Sequence, residues 1–149
     1  MSKSKFALAK KKYKISLEVA MDQVMNFLET YDIDIEAIED KKSKSGIEST
    51  LNKMVSYVRL ELIELAKKDG KVTITQHLSH PKGEVTTLVY SEIQGKNKVC
   101  MDGKSEDDRY EMMYSLAGSL SGIGYDGILK LEGKDLSVAE VLGAIFLQI

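Results

Sequence analysis

The spacing of apolar residues changes twice along this 149-residue chain, and that change limits the fold more than any other feature. Between Ser16 and Lys68 apolar residues recur every three or four positions, as in amphipathic helices. After Gly70 they alternate with polar residues, as in a half-buried strand, and from Ser105 the helical spacing returns. The sequence therefore predicts an α+β fold with an N-terminal helical hairpin, one antiparallel β-hairpin and a C-terminal helical cluster.

Two amphipathic helices are predicted before Gly70. The first begins after Ser16, which suits an N-cap, and the second runs from Ile47 to Lys68. Their apolar stripes are Leu17, Met21, Val24, Leu28 and Tyr31 in the first helix, and Ile47, Leu51, Met54, Val58, Leu62 and Leu65 in the second. Because neither helix buries its stripe alone, the two should form a hairpin or recruit a third helix.

A β-hairpin is predicted over residues 72–93. Its first strand alternates apolar and polar residues from Val72 to Leu78, and its second, from Val85, is rich in Val, Thr and Tyr. The intervening Pro81 and Gly83 are typical turn residues. Since an isolated two-stranded hairpin is marginally stable, it should lie on the helices or on another chain's strand.

The C-terminal third returns to helical spacing. One helix is predicted to open at Ser105, a short one covers residues 126–131, and the last begins at Asp135 or Ser137. The last helix is apolar nearly all round, which is typical of a helix at the centre of a core or against a partner.

Partner binding is predicted on this last helix and on the helix that opens at Ser105. One face of the last helix should lie in the core through Leu142, and the other should contact a partner. The predicted partner-binding residues are Met112, Leu116, Val138, Val141, Ile145, Phe146 and Ile149. If the last helix is central in the core on both faces, the interface is expected on the helices within residues 16–68.

Residues 1–15 are predicted to form a basic arm. Six lysines and no acid occur in it: Lys3, Lys5, Lys10, Lys11, Lys12 and Lys14. The arm is either a solvated terminus or a salt-sensitive contact with acidic groups or nucleic acid, and the formal net charge of −2 makes nucleic acid the less favoured partner. Residues 16–69 form the helical hairpin and 70–149 the β-hairpin with the C-terminal helices, and these segments pack as one domain or as two.

No set of residues predicts a catalytic, metal or cofactor site. His77, His80 and Cys100 lack the spacing and the fourth ligand of a zinc site. The acids between Asp32 and Asp40 alternate with apolar residues, unlike a calcium-binding loop. Because no phosphate-binding loop or catalytic triad is recognisable either, we expect no enzyme activity, no metal and no cofactor.

Composition narrows the class of protein further. A single cysteine excludes a disulfide framework, and 30% charged residues with a formal net charge of −2 argue against wholesale disorder. No apolar run approaches the roughly 20 residues of a membrane span. The sequence therefore predicts a cytoplasmic protein with no membrane contact.

Residues 84–147 resemble the tail assembly chaperones of long-tailed bacteriophages in the order of their features. Those features are a strand at 84–88, an acid at Asp102, a helix at 108–120, a break at 121–123, a segment at 128–131, an acid at Asp135 and an apolar last helix. The resemblance implies a non-enzymatic protein that keeps an amphipathic helical client, the tape-measure protein, soluble until the tail tube forms around it.

Three functions follow from the resemblance and the residue patterns together. The first is a tail assembly chaperone in the host cytoplasm, and the second is a structural subunit of a phage tail, neck or head, which would stay in the virion. The third is a small phage regulatory or anti-defence protein that acts by binding. Each predicts a protein partner, either a helical client or neighbouring subunits, and a homo-oligomer is expected.

Overall fold

The computed structural model describes residues 12–105 and 107–149 and confirms the α+β class. Six helices and three strands occur in these residues. In chain order they are α1 (Leu17–Thr30), α2 (Lys41–Arg59), β1 (Ile63–Lys68), β2 (Lys71–Lys82), β3 (Val85–Tyr90), α3 (Gly95–Val99), α4 (Arg109–Ser121), α5 (Gly124–Leu129) and α6 (Gly133–Phe146), with a 3-10 turn at Ile35–Ala37.

The N-terminal helices pack against each other as the predicted hairpin. Ser16 caps α1 as expected, because its Oγ accepts a hydrogen bond from the amide of Val19 at 3.2 Å. The second helix begins six residues before the predicted Ile47. Asp40 caps it by accepting hydrogen bonds from the amide and hydroxyl of Ser43, and this cap makes the polar stretch at 41–46 helical.

The predicted end of the second helix at Lys68 is wrong. The helix ends at Arg59, Glu61 takes a left-handed conformation, and Ile63–Lys68 is strand β1, paired antiparallel with β2. The apolar spacing of this segment fits a helix or a strand equally, as the positions of Leu62, Ile63 and Leu65 show. Pairing with β2 therefore decides that the segment is a strand. The predicted boundary between residues 69 and 70 lies inside the β1–β2 turn.

The β-hairpin is present within a larger, three-stranded antiparallel sheet of order β1-β2-β3. Ile63, Gln76 and Leu88 lie opposite one another across the strands, and all three are buried. One face of this sheet therefore packs into the core and positions the C-terminal helices, as expected for a small sheet that cannot stand alone.

The C-terminal helices differ from prediction mainly at their ends. Ser105 lies in the turn before α4, where its amide and hydroxyl donate to the carboxylate of Asp108. The five-residue α3 was not predicted, and α5 begins two residues before the predicted Asp126. Gly118 allows α4 and α5 to approach, since a Cβ there would lie 2.4 Å from the carbonyl carbon of Gly124.

Candidate binding surface

The apolar residues of α6 are largely covered by this chain, so the expected partner-binding face is not an open apolar surface; the exposed side-chain positions of the helix, such as Lys134 and Ser137, are polar. This helix packs against α4, α2 and β2. Of the seven predicted partner-binding residues, five are buried and two are half-buried: Leu116, Val138, Val141, Ile145 and Phe146 are buried, and Met112 and Ile149 are half-buried. The apolar circumference of α6 is thus covered by this chain itself, with Ile145 only 1% exposed.

A buried polar network ties the start of α6 to the sheet. The Asp135 carboxylate accepts hydrogen bonds from the amides of Ser79, at 2.7 Å, and His80, at 2.9 Å. The Asp135 carbonyl accepts from the Gln76 side chain, whose own oxygen accepts from the Tyr90 hydroxyl at 2.6 Å. Burial raises the pKa of Tyr90 above its usual range, so this hydroxyl stays protonated as the donor. The network is internal and leaves no polar group turned to a ligand.

A row of exposed apolar residues lies on α1. Leu17, Met21 and Met25 follow one another at four-residue steps, and their side chains are 50%, 45% and 54% exposed. We call these three residues the α1 ridge. At its C-terminal end the ridge adjoins a depression of about 280 Å³, lined by Met25, Leu28 and Ile33 among others. An exposed apolar row of this length is typical of an interaction surface.

The ridge is exposed because the side of α1 that packs on the core differs from the predicted apolar stripe. Ala20, Val24 and Phe27 are the buried residues of α1, and Phe27 also packs on Tyr31 with ring centroids 5.1 Å apart. Burying the large Phe27 side chain rotates Leu17 and Met21 to the edge of the contact. Of the predicted stripe, Val24 alone is fully buried.

The segment that carries the ridge is strongly acidic. Residues 15–40 contain eight acids and no lysine or arginine. Glu18, Asp22 and Glu29 form a row beside the ridge, are exposed, and make no ion pair with any residue that the structure describes. The ridge is therefore apolar with an acidic border.

A basic groove lies on another side of the molecule, between α2, α4 and α6. It consists of two adjoining depressions, of about 300 Å³ and about 540 Å³, that share Thr50 and Arg109 as lining residues. Lys53 lines the first depression and Lys42 the second, whereas Glu140 is the one acid among the lining residues given for either. We call this surface the α2 groove.

The remaining predicted features occupy ordinary surface positions. The His77 imidazole hydrogen-bonds the Glu64 carboxylate at 3.1 Å, and burial raises the pKa of the Cys100 thiol. Within residues 12–105 and 107–149, no cluster of three or more metal-binding side chains occurs. Of the basic arm, Lys14 lies 3.5 Å from Glu61, Lys12 is exposed, and the lysines at positions 3, 5, 10 and 11 lie outside the described residues.

Comparison with known proteins does not assign a family. No family model, no curated protein and no solved structure matches this chain. No helix in the described parts of the chain is long and apolar enough to cross a membrane. A functional proposal therefore has to rest on the surfaces described above.

Proposed function

We propose that this protein is a non-enzymatic binding protein that holds an amphipathic helix of another protein on its α1 ridge, in the manner of a phage tail assembly chaperone acting on a tape-measure protein. The exposed row of Leu17, Met21 and Met25 carries this proposal. The C-terminal resemblance supplies the class of client, and the ridge supplies the surface.

The ridge has the shape and chemistry for a helical client. Side chains four residues apart on one helix pack into the grooves between side chains of another, so a continuous row suits a second helix better than a globular surface. Two of the three ridge residues are methionines, whose flexible side chains adapt to varied apolar partners. Such adaptability suits a client whose successive helical segments differ in sequence.

The expected affinity is moderate, as a releasable client requires. Burying three half-exposed apolar side chains contributes roughly 3–4 kcal/mol, which corresponds to about a hundredfold to a thousandfold in affinity. Contacts along the acidic border add a salt-sensitive term when the client carries lysine or arginine. A growing tail tube would then displace the chaperone without a dedicated release step.

Co-expression with the tape-measure protein encoded in the same genome tests this function. The wild-type protein should keep that client in the soluble fraction and co-purify with it. A Met21→Ser/Met25→Ser variant should lose both effects, while the exposed control Val89→Ser on the sheet should retain them. A client that is equally soluble with and without this protein would refute the chaperone proposal.

Mass spectrometry of purified phage particles separates this proposal from the structural-subunit alternative. A chaperone is absent from mature particles, because its client is enclosed by the tail tube. A tail, neck or head subunit is retained in stoichiometric amount. Recovery of the protein at that level would replace the chaperone proposal with the structural one.

A further inference from the structure

We propose that the α1 ridge of one copy of this protein docks into the α2 groove of a second copy. This inference goes beyond the proposed function because it concerns the protein with no client present. It assigns an occupant to the basic groove, which client binding on the ridge leaves unexplained.

Opposite charges on the two surfaces favour this pairing. The acidic border of the ridge, with Asp22 and Glu29 exposed, meets no described basic partner within its own chain. In the groove, Lys53 and Arg109 likewise make no ion pair among the residues described. Two unpaired rows of opposite sign on one molecule attract each other between copies at low ionic strength.

Arg109 brings a cation to both depressions of the groove. It is the first residue of α4 and lines both of them, whereas the acids Asp107, Asp108 and Glu111 beside it offset the positive end of the helix dipole. The cap residue Asp108 directs its carboxylate to Ser105 and makes no side-chain hydrogen bond to the first turn of α4. The acids of a docked α1 would face Arg109.

The two surfaces also match in length and in apolar content. Leu17 to Glu29 covers about 18 Å along α1, and Lys42 to Lys53 covers about 16 Å along α2, at about 1.5 Å per residue. Apolar atoms of Ile38, Ile47 and Ala144 lie among the lining residues of the groove. A methionine row has apolar contacts there in addition to the charge pairs.

Docking of this kind shields the ridge until a client displaces the second copy. The ridge and the groove are different surfaces. If two copies dock into each other reciprocally, the result is a two-fold dimer; if each copy docks into the next, the contact is heterologous and produces a ring or a chain. In each case the exposed methionines are covered in the resting protein. The inference shares the ridge with the proposed function, but it is measured without any client.

Two charge-reversal variants test the contact. The ridge variant is Asp22→Lys/Glu29→Lys, and the groove variant is Lys53→Glu/Arg109→Glu. Neither should unfold the chain, since Glu29→Lys places a cation near the end of α1 and Arg109→Glu places an anion at the start of α4, and both suit the helix dipoles. A matched control, Lys96→Glu/Lys130→Glu, changes the net charge as much as the groove variant on exposed positions elsewhere.

Sedimentation velocity at low salt should show self-association of the wild-type protein and of the control. Each reversal variant alone should associate at least about tenfold more weakly, which corresponds to 1.4 kcal/mol or more. An equimolar mixture of the two variants should restore association to near the wild-type level, because each ridge then meets a groove of opposite charge.

Three outcomes would overturn the inference. They are a wild-type protein that stays monomeric at the highest concentration in the centrifuge, variants that associate as the wild type does, and a mixture that fails to restore association. Circular dichroism of each variant, recorded beside these runs, confirms that the variants are folded. Because no client enters the measurement, its failure leaves the chaperone proposal standing, and failure of the solubility assay leaves this contact standing.

Discussion

Helices α1 and α6 are both 14 residues long, yet they meet the solvent in opposite ways. The more apolar helix, α6, has nine buried residues and is enclosed by its own chain. The less apolar helix, α1, has three buried residues and exposes a row of large apolar side chains. The apolar content of a helix therefore does not identify a binding surface, because the number of elements packed around the helix decides what stays open.

The difference follows from the surroundings of each helix. Helix α6 lies between α4, α2 and β2, and Asp135 fixes its first turn to the sheet. Helix α1 packs on α2, β1 and β2 with one side alone, the side of Ala20, Val24 and Phe27.

Aspartate substitutions on the two helices should give opposite results. Leu142→Asp and Ile145→Asp each place a charge at a position 0% or 1% exposed, and each should unfold the protein, since an unpaired buried charge costs several kcal/mol against a total of roughly 5–15 kcal/mol. Met25→Asp should leave the fold intact. Urea denaturation followed by circular dichroism compares the three. A folded Ile145→Asp variant would show that α6 has an open face after all.

Removing the carboxylate that holds α6 to the sheet should cost less. Asp135→Ala leaves the amides of Ser79 and His80 without their acceptor, so the free energy of unfolding should fall by about 2–4 kcal/mol. The exposed acid Asp126, in the first turn of α5, provides the control, and Asp126→Ala should cost at most about 1 kcal/mol. Equal losses in urea denaturation would mean that the network does not anchor α6.

Replacing Gly118 and Gly46 with alanine should change the stability of the protein in opposite directions. Gly118→Ala forces α4 away from Gly124 and should destabilise the protein by about 1–3 kcal/mol. Gly46→Ala, inside α2, meets nothing within 4 Å of the added Cβ and should stabilise it by about 0.5–1 kcal/mol. The midpoint of thermal unfolding should fall for Gly118→Ala and rise for Gly46→Ala. A stabilised Gly118→Ala variant would show that α4 and α5 are not in close contact.

The double substitution Met21→Ser/Met25→Ser should have the smallest effect on stability. Exposed substitutions usually change the free energy of unfolding by about 0.5 kcal/mol or less, so this variant should unfold at nearly the wild-type urea concentration. Its self-association should nevertheless weaken. A large loss of stability would place these methionines in the core and remove the basis for a binding surface.

The sequence predicted the fold class because the change of apolar spacing at Gly70 is strong. It did not predict β1, since the apolar residues of 62–65 suit a helix or a strand. The signal that distinguishes them is local: Asp69 and Gly70, both at positive φ, form the two-residue turn between β1 and β2, and Asp-Gly is typical of a hairpin turn as well as of a helix end. The early start of α2 was readable in principle, because Asp40 followed by Ser43 is a capping pattern.

The open surface could be predicted only as an alternative. The apolar residues of α1 cover a wide arc from Phe27 through Leu17 to Met25, and no local rule states which part of that arc its neighbours cover. The apolar residues that were expected to bind a partner on α6 are mostly buried for the converse reason, since α4, α2 and β2 of the same chain pack against them. The alternative expectation, an interface on the helices within 16–68, stays a prediction, and the α1 ridge lies within that segment.

Methionine oxidation by hydrogen peroxide, mapped by mass spectrometry, tests most directly whether α1 is open and the α6 core closed. The rate of sulfoxide formation follows the exposure of each sulfur, and the chain provides its own controls. In dilute protein, Met21 and Met25 should be oxidised fast, while Met54 and Met113, 0% and 5% exposed, should react slowly. Raising the protein concentration should slow the oxidation of Met21 and Met25, whereas the oxidation rate of Met54 should not change. Oxidation of Met113 as fast as that of Met25, or slow oxidation of the ridge in dilute protein, would contradict the account.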